Sequence, residues 1–320
     1  MKALRQVFGE TLAKLGEKIP ELVVLDADLS KSTKTSIFAT AFPERFHDMG
    51  IAEQDMLCTA AGLATAGMIP VASTFAIFGT GRAWEQMRNS VCYPNLNVKL
   101  VATHGGVTVG QDGGSHQALE DLAITRVIPN LHVIVPADGI ETAQVIETII
   151  RTKGPFYVRL PRGSGPDVHP DNYKFELGKA PILRPGKDVT LVACGLMVAV
   201  ALSAADILEK SGIDARVINL STLKPLDQDT LLNAARETSA IVTIEEHNVV
   251  GGLGSAVCET VCSKCPTLVL RHGICDEFGQ SGSADQLLQH FKLTAKDVAA
   301  KAKEAMGMTK SFPHKHESSQ

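Results

Sequence analysis

Short apolar bursts alternate with longer stretches of helical spacing along this chain, and that rhythm leaves few folds open. Leu22-Val23-Val24-Leu25, Val71-Ala72-Ser73, Val98-Lys99-Leu100-Val101-Ala102, Val133-Ile134-Val135 and Phe156-Tyr157-Val158 have strand character; residues 3–15, 53–66, 84–91 and 140–151 have helical spacing. Strands joined through helices of that length run mainly parallel with both faces covered, and such sheets take ligands at their carboxyl edge. The turn-forming run Pro161-Arg162-Gly163-Ser164-Gly165-Pro166-Asp167-Val168-His169-Pro170 interrupts the rhythm. It resumes at Val189-Thr190-Leu191-Val192-Ala193 and continues through Ala215-Arg216-Val217-Ile218, Ala240-Ile241-Val242-Thr243-Ile244 and Thr267-Leu268-Val269-Leu270. The expected fold class is α/β, two three-layer α/β/α domains at 1–165 and 186–308, with a linker at 166–185 and a disordered polar tail at 309–320.

A length of 320 residues lets each domain bury a core of its own. With 31 basic and 35 acidic residues the formal charge is -4, so no positive field is offered to nucleic acid or to an acidic membrane. Small ligands and protein partners remain. The seven cysteines, an odd number set mostly in apolar segments, suit buried reduced thiols better than a disulfide framework. The amino terminus mixes charge into its apolar spacing and lacks the core of a signal peptide, so a cytoplasmic location is expected. The most apolar stretch, 189–205, is broken at Gly195 and falls short of the about 20 uninterrupted residues of a membrane span.

Within this frame a few segments carry chemistry. Glu53, in the run His47-Asp48-Met49-Gly50-Ile51-Ala52-Glu53-Gln54-Asp55, stands at the amino end of a predicted helix, where the macrodipole favours a charged carboxylate. It reads as an ordinary first-turn acid or as a functional one, and the small residues that follow at 59–67 permit close packing. Phe75 and Phe78 follow a predicted strand in a chain with only 5% aromatic residues; they fit either a core or a wall for a planar heterocycle. The loop from His104 to His116 is too rich in glycine for regular structure and lets backbone and ligand approach closely. Its His104, Asp112 and His116 are also the residue types of an open metal triad.

Arg162 follows the last strand of the first domain and Arg5 opens the first helix. Each reads as a surface charge or, if both face the cleft, as a paired-donor clamp for a phosphate. Gly251-Gly252-Leu253-Gly254 lacks the full dinucleotide fingerprint and reads as a tight strand-to-helix turn. Cys262, Cys265, His272 and Cys275 do not read as a zinc site, because a strand rising about 3.3 Å per residue separates the two pairs.

On these residues the chain resembles the transketolase family of thiamine diphosphate enzymes, over nearly all its length and as the second half only. Gly50-Ile51-Ala52-Glu53-Gln54 is similar to the family's glutamate motif, Ser73-Thr74-Phe75 with Phe78 to its aromatic pocket, and Asp112-Gly113-Gly114-Ser115-His116-Gln117 to its substrate loop. The resemblance implies a pyrimidine-binding domain followed by a transketolase C-terminal domain. It implies that Glu53 shares a proton with the pyrimidine N1′ of thiamine diphosphate, which then activates itself and carries a two-carbon ketol unit from a ketose phosphate to an aldose phosphate, as in the pentose phosphate pathway. Glu53 and His116 are the implied catalytic residues, and Glu53, Phe75, Phe78 and Asp28 the implied cofactor contacts. His104, Asp112, His116, Arg162, Arg5 and Ser32 are the implied substrate contacts, Asp112 and His116 at sugar hydroxyls and the others at the phosphate.

Departures from the family pattern shape the expectation further. The Gly-Asp-Gly motif and downstream asparagine that bind magnesium and the diphosphate are absent. No metal ligand is therefore expected here, and Mg2+ is expected on a separate N-terminal subunit, in an α2β2 assembly. Gly81 stands where many family members have a tyrosine beside the pyrimidine. Two rivals keep the cofactor: a deoxyxylulose-phosphate-synthase-like protein, which Arg82-Ala83-Trp84-Glu85-Gln86 resembles in part, and a 2-oxoacid dehydrogenase beta-type subunit. A non-catalytic assembly subunit and a metal-dependent hydrolase built on His104, Asp112 and His116 are the readings from other classes.

Overall fold

The computed structural model of the chain describes residues 3–311. Its strands are β1 (Leu22–Asp26), β2 (Phe46–Asp48), β3 (Ile69–Phe75), β4 (Lys99–Thr103), β5 (His132–Ile134), β6 (Phe156–Arg159), β7 (Ile182–Arg184), β8 (Val189–Ala193), β9 (Ala215–Asn219), β10 (Thr222–Lys224), β11 (Ile241–Asn248) and β12 (Val269–Ile274). One sheet has the order β10-β5-β6-β4-β3-β1-β2 and is parallel except where β10 joins β5. The other has the order β12-β11-β8-β9-β7 and is parallel except for β7 against β9.

Side-chain alternation along β1 feeds two cores. Leu22 and Val24 pack with Leu4, Phe8, Leu12 and Leu15, which recur at helical spacing on the buried stripe of helix Leu4–Gly16. Val23 and Leu25 point to the opposite face, where Met56 and Leu57 of helix Glu53–Thr65 cover them. The strand is buried along its whole length, as β4 and β8 are, because helices lie on both sides. Helix Gly139–Arg151, capped by the Asp138 carboxylate accepting from the Glu141 amide at 2.8 Å, packs beside helix Leu4–Gly16.

Several expectations need correction. The two domains share a sheet edge that was not foreseen: β10, from the second, becomes the edge strand of the first sheet, with Thr222 opposite Ile134. One buried cluster accordingly runs from Leu100 and Val135 to Val192 and Ile218. The 166–185 linker ends in β7, a segment too short for its alternation to be legible. The predicted helix at 84–91 is a short turn, Trp84–Gln86, passing into a π-helix, Met87–Cys92. Helix Ala295–Ser311 enters the segment expected as a tail, and the rest of 309–320 lies outside the described residues. All seven cysteines are free, but only Cys92 and Cys194 are buried, while Cys58, Cys262 and Cys275 are exposed. Among the described residues no helix is long and apolar enough to cross a membrane.

Buried charge joins the domains. Arg159, at the end of β6, donates through Nη2 to the carbonyls of Ala118 at 3.1 Å and Glu246 at 2.8 Å. Its Nε lies 3.0 Å from Asp121, close enough for an ion pair though not aligned as a hydrogen bond. The Tyr157 hydroxyl donates to the same carboxylate at 2.6 Å. Removing one partner strands the other charge in the interior, so Asp121→Asn is expected to lower the unfolding free energy by about 3–5 kcal/mol. Urea denaturation at unchanged m-value measures this; a loss under about 1 kcal/mol, the scale of an exposed pair, would contradict it.

Candidate active site

Strand ends converge at the carboxyl edge of the first sheet. Asp28 follows β1, Phe75 ends β3, His104 follows β4 and Arg162 follows β6; Glu53 opens the helix after β2. Glu53 is 3% exposed, so its carboxylate is an interior group, and Arg82 Nη1 lies 3.1 and 3.3 Å from its two oxygens. Phe75 and Phe78 are near parallel, with ring centres 5.8 Å apart. The His104 ring stacks on Phe75 at 3.7 Å, and His116 meets Phe78 edge-on at 5.4 Å. These four rings and the acid were each nominated from sequence; the fold brings the rings into one wall, and Arg82 links the acid to Phe78.

The polar corner assembles beside it. Arg5 Nη1 donates to the Ser32 carbonyl at 2.7 Å, and its buried Nε has no hydrogen-bond partner. Arg162 donates to the Val109 carbonyl at 2.6 Å and lies 3.5 Å from Asp112. Burial and the charge of Arg162 lower the Arg5 pKa from its ordinary value. Burial, then Arg5, Arg162 and His116, push His104 down to about 3. Two guanidiniums that repel each other, with an orphan donor on one of them and an uncharged imidazole beside them, form a place that an anion relieves. Asp28 stands apart from this corner, with its amide donating to the Asp48 carboxylate at 3.1 Å. Asp28 and His104 have φ of 60° and 61°, in the left-handed region that non-glycine residues seldom occupy, so two nominated residues sit on strained backbone.

Tertiary contacts hold the glycine loop in place. A Cβ on Gly105 would stand 2.4 Å from Arg159 Nε, and one on Gly106 would stand 2.4 Å from the Glu246 carboxyl group, so the chain passes between the domains only without side chains. At the other end, buried Gln117 donates to the carbonyls of Val107 and Gly110, each at 3.2 Å, and to Gln280 of the second domain at 2.9 Å. Sequence reasoning quoted Gln117 and Arg82 within motifs without giving either a role, and it missed the structural role of Asp26. Asp26 is buried, accepts from Thr33 and Thr35 at 2.7 and 2.8 Å and from the Leu29 amide at 2.6 Å, and is pushed up to about 6 by burial. It shapes the turn that brings Ser32 to Arg5; its legible signal was an apolar strand ending in an acid with threonines seven and nine residues on.

Other motifs resolve differently. His104 stacks on Phe75 and Asp112 pairs with Arg162, so the possible metal triad does not assemble; among the described residues no group of three or more His, Cys, Asp or Glu is placed to hold a metal ion. The glycine turn before helix Leu253–Lys264 is filled by this chain's own Glu245, which accepts from the amides of Leu253 and Gly254 at 2.7 and 2.8 Å. That carboxylate occupies the place a phosphate would take.

The fold and the site together define a two-domain α/β protein with an aromatic wall beside a cationic corner. The family model described as transketolase, pyrimidine binding domain, matches residues 1–167, and that described as transketolase, C-terminal domain, matches 178–298. A Methanocaldococcus jannaschii protein provisionally described as a transketolase C-terminal section is 49% identical over 308 residues, 95% of this chain and 96% of its own. A 6-deoxy-6-sulfo-D-fructose transketolase subunit from a Clostridium species is 40% identical over 301 residues, 94% of each chain. A solved structure described as a split gene transketolase, inactive beta4 tetramer, superposes with a TM-score of 0.90 at 51% identity, over 97% of this chain and 100% of that one. The chain belongs to the transketolase family and carries its pyrimidine-binding and C-terminal domains.

The depressed His104 makes a prediction. Its folded pKa, about 3, lies below the ordinary 6.5, so its contribution to stability is complete above about pH 6.5 and is lost as the pH falls toward 3. Asp26 and Glu245, raised to about 6 and about 7, act in the opposite sense, so the informative quantity is the difference between wild type and His104→Asn. That difference is expected to slope by up to about 1.4 kcal/mol per pH unit below 6.5. In a nitrogen-detected NMR titration, a His104 imidazolium at about pH 5 would contradict this.

Proposed function

We propose that this chain is the C-terminal subunit of a thiamine diphosphate-dependent transketolase, which moves a two-carbon ketol unit from a ketose phosphate to an aldose phosphate together with a separate N-terminal subunit. The observation that carries the reading is Glu53, a buried acid at the head of a helix, with the Phe78 and Phe75 faces beside it. An interior carboxylate and flat apolar walls fit the pyrimidine end of the cofactor on which this family depends. The diphosphate end is assigned elsewhere, because this sequence lacks the Gly-Asp-Gly motif. Mg2+ and its ligands are therefore assigned to the partner subunit, in an α2β2 assembly. The split-gene relative, inactive as a β4 tetramer, is in keeping with a half-enzyme of this kind.

When bound, the cofactor supplies a nucleophilic thiazolium able to take up electrons. Everything else falls to side chains of this chain. Glu53 would hold a proton at the pyrimidine N1′, Phe78 would stack on the ring with Phe75 in the same pocket, and Asp28 would line the cofactor interface. Asp112 and His116 take sugar hydroxyls, with His116 positioned to move a hydroxyl proton. Arg5, Arg162, Ser32 and a neutral His104 hold the terminal anion, and Arg162 exchanges part of its contact with Asp112 for it. One relative's name specifies a sulfonated fructose, and the same corner has the charge to take a sulfonate.

The test pairs this chain with a subunit bearing the Gly-Asp-Gly motif, plus thiamine diphosphate and Mg2+, and assays ketol transfer between phosphorylated and sulfonated sugars. Glu53→Gln is expected to lower kcat by about 10²- to 10⁴-fold. An unchanged rate would favour a scaffold role, and full activity from this chain alone would refute the split. Decarboxylation of pyruvate in place of transfer would favour the two rivals that share the cofactor.

A further inference from the structure

Arg82 makes the two contacts an aminopyrimidine needs. Its Nη1 donates to both Glu53 oxygens, at 3.1 and 3.3 Å, and its guanidinium carbon lies 4.3 Å from the centre of the Phe78 ring. A guanidinium is flat, donates hydrogen bonds in its plane and stacks on aromatic faces, so it can stand in for a flat nitrogen heterocycle. One planar group therefore occupies both the acid and the stacking face.

Local structure holds the backbone at this point and leaves the side chain loose. The Arg82 amide donates to the Phe78 carbonyl at 3.0 Å, Ala83 is buried, and Trp84 is anchored by Nε1 donating to the Ile124 carbonyl at 2.7 Å. By contrast, the Arg82 side chain is 52% exposed, and a half-exposed ion pair exchanges readily. Beside it, Gly81 contributes no side chain, and a Cβ added there would meet nothing within 4 Å. The space is open for the arginine to swing out. Without the guanidinium, Glu53 would be an interior carboxylate lacking its ion-pair partner, a state that burial disfavours.

We propose that Arg82 closes the pyrimidine subsite of the free subunit, holding Glu53 and the Phe78 face until an aminopyrimidine ring displaces it. This rests on the reading of the pocket given under Proposed function. It adds that loading exchanges one flat nitrogen group for another, a proton taken up between Glu53 and the ring nitrogen replacing the guanidinium's hydrogen bonds, and that the residue after Gly81 sets the apparent affinity. A ligand whose competent site is only fractionally open binds more weakly by that fraction.

The test titrates the full chain alone with 4-amino-5-hydroxymethyl-2-methylpyrimidine, an uncharged fragment that needs no diphosphate site. Fluorescence of Trp84, two residues from Arg82 and the one tryptophan of the sequence, reports binding. Arg82→Met is expected to bind the fragment roughly 3- to 30-fold more tightly than wild type. Because salt weakens exposed ion pairs, raising the ionic strength should tighten fragment binding to wild type and leave Arg82→Met unchanged, and the wild-type arm does not depend on the variant folding. Equal or weaker binding by the variant, or a wild-type affinity that does not rise with salt, overturns the exchange while leaving the pocket assignment standing. No saturable binding to either protein overturns both.

Discussion

The Arg159 guanidinium, buried where β6 ends, is the constraint on which the site depends. It is held by the Asp121 carboxylate from the first domain and by the Glu246 carbonyl from the second, so the domains cannot part without exposing or orphaning a charge. Its bulk also dictates that Gly105 carry no side chain, and Glu246 imposes the same on Gly106 while its carboxylate accepts from the Thr108 amide. The glycine loop is thus clamped between two buried ionic groups, and His104 enters it on a left-handed backbone. Placing His104 against Phe75 is a consequence of that clamp, not of local preference.

A role for the second domain follows from the same contacts. Beyond lending β10 to the first sheet, it fixes the far end of the loop through Gln280 and Gln117, and its Gly279 and Ser281 lie where Cβ atoms on Gly114 and Gly113 would clash. The residues proposed to meet a sugar, Asp112 and His116, therefore lie on a loop gripped from both sides, which lowers the cost of orienting a substrate. The cationic corner is arranged differently: Arg5 comes from the first helix and Arg162 from the segment after β6, and their mutual repulsion is sustained by backbone carbonyls at Ser32 and Val109. The arrangement stores unfavourable charge until an anion arrives.

By itself the sequence determined the α/β class and most strand and helix positions, and it nominated the acid, the aromatics and the loop residues that the fold gathers at one edge of the first sheet. Period-2 and period-3.6 patterns are local, and residues at the carboxyl ends of parallel strands converge wherever such a sheet forms. Tertiary structure alone decided that β10 crosses to the other sheet, that Met87–Cys92 winds as a π-helix, that most of the cysteines are not buried, and that Arg82 lies across Glu53 and Phe78. A three-residue edge strand carries too little pattern to be read, and helix type depends on hydrogen bonds that propensity does not encode. An arginine's partners are chosen by distances between segments nearly thirty residues apart, which no spacing along the chain records.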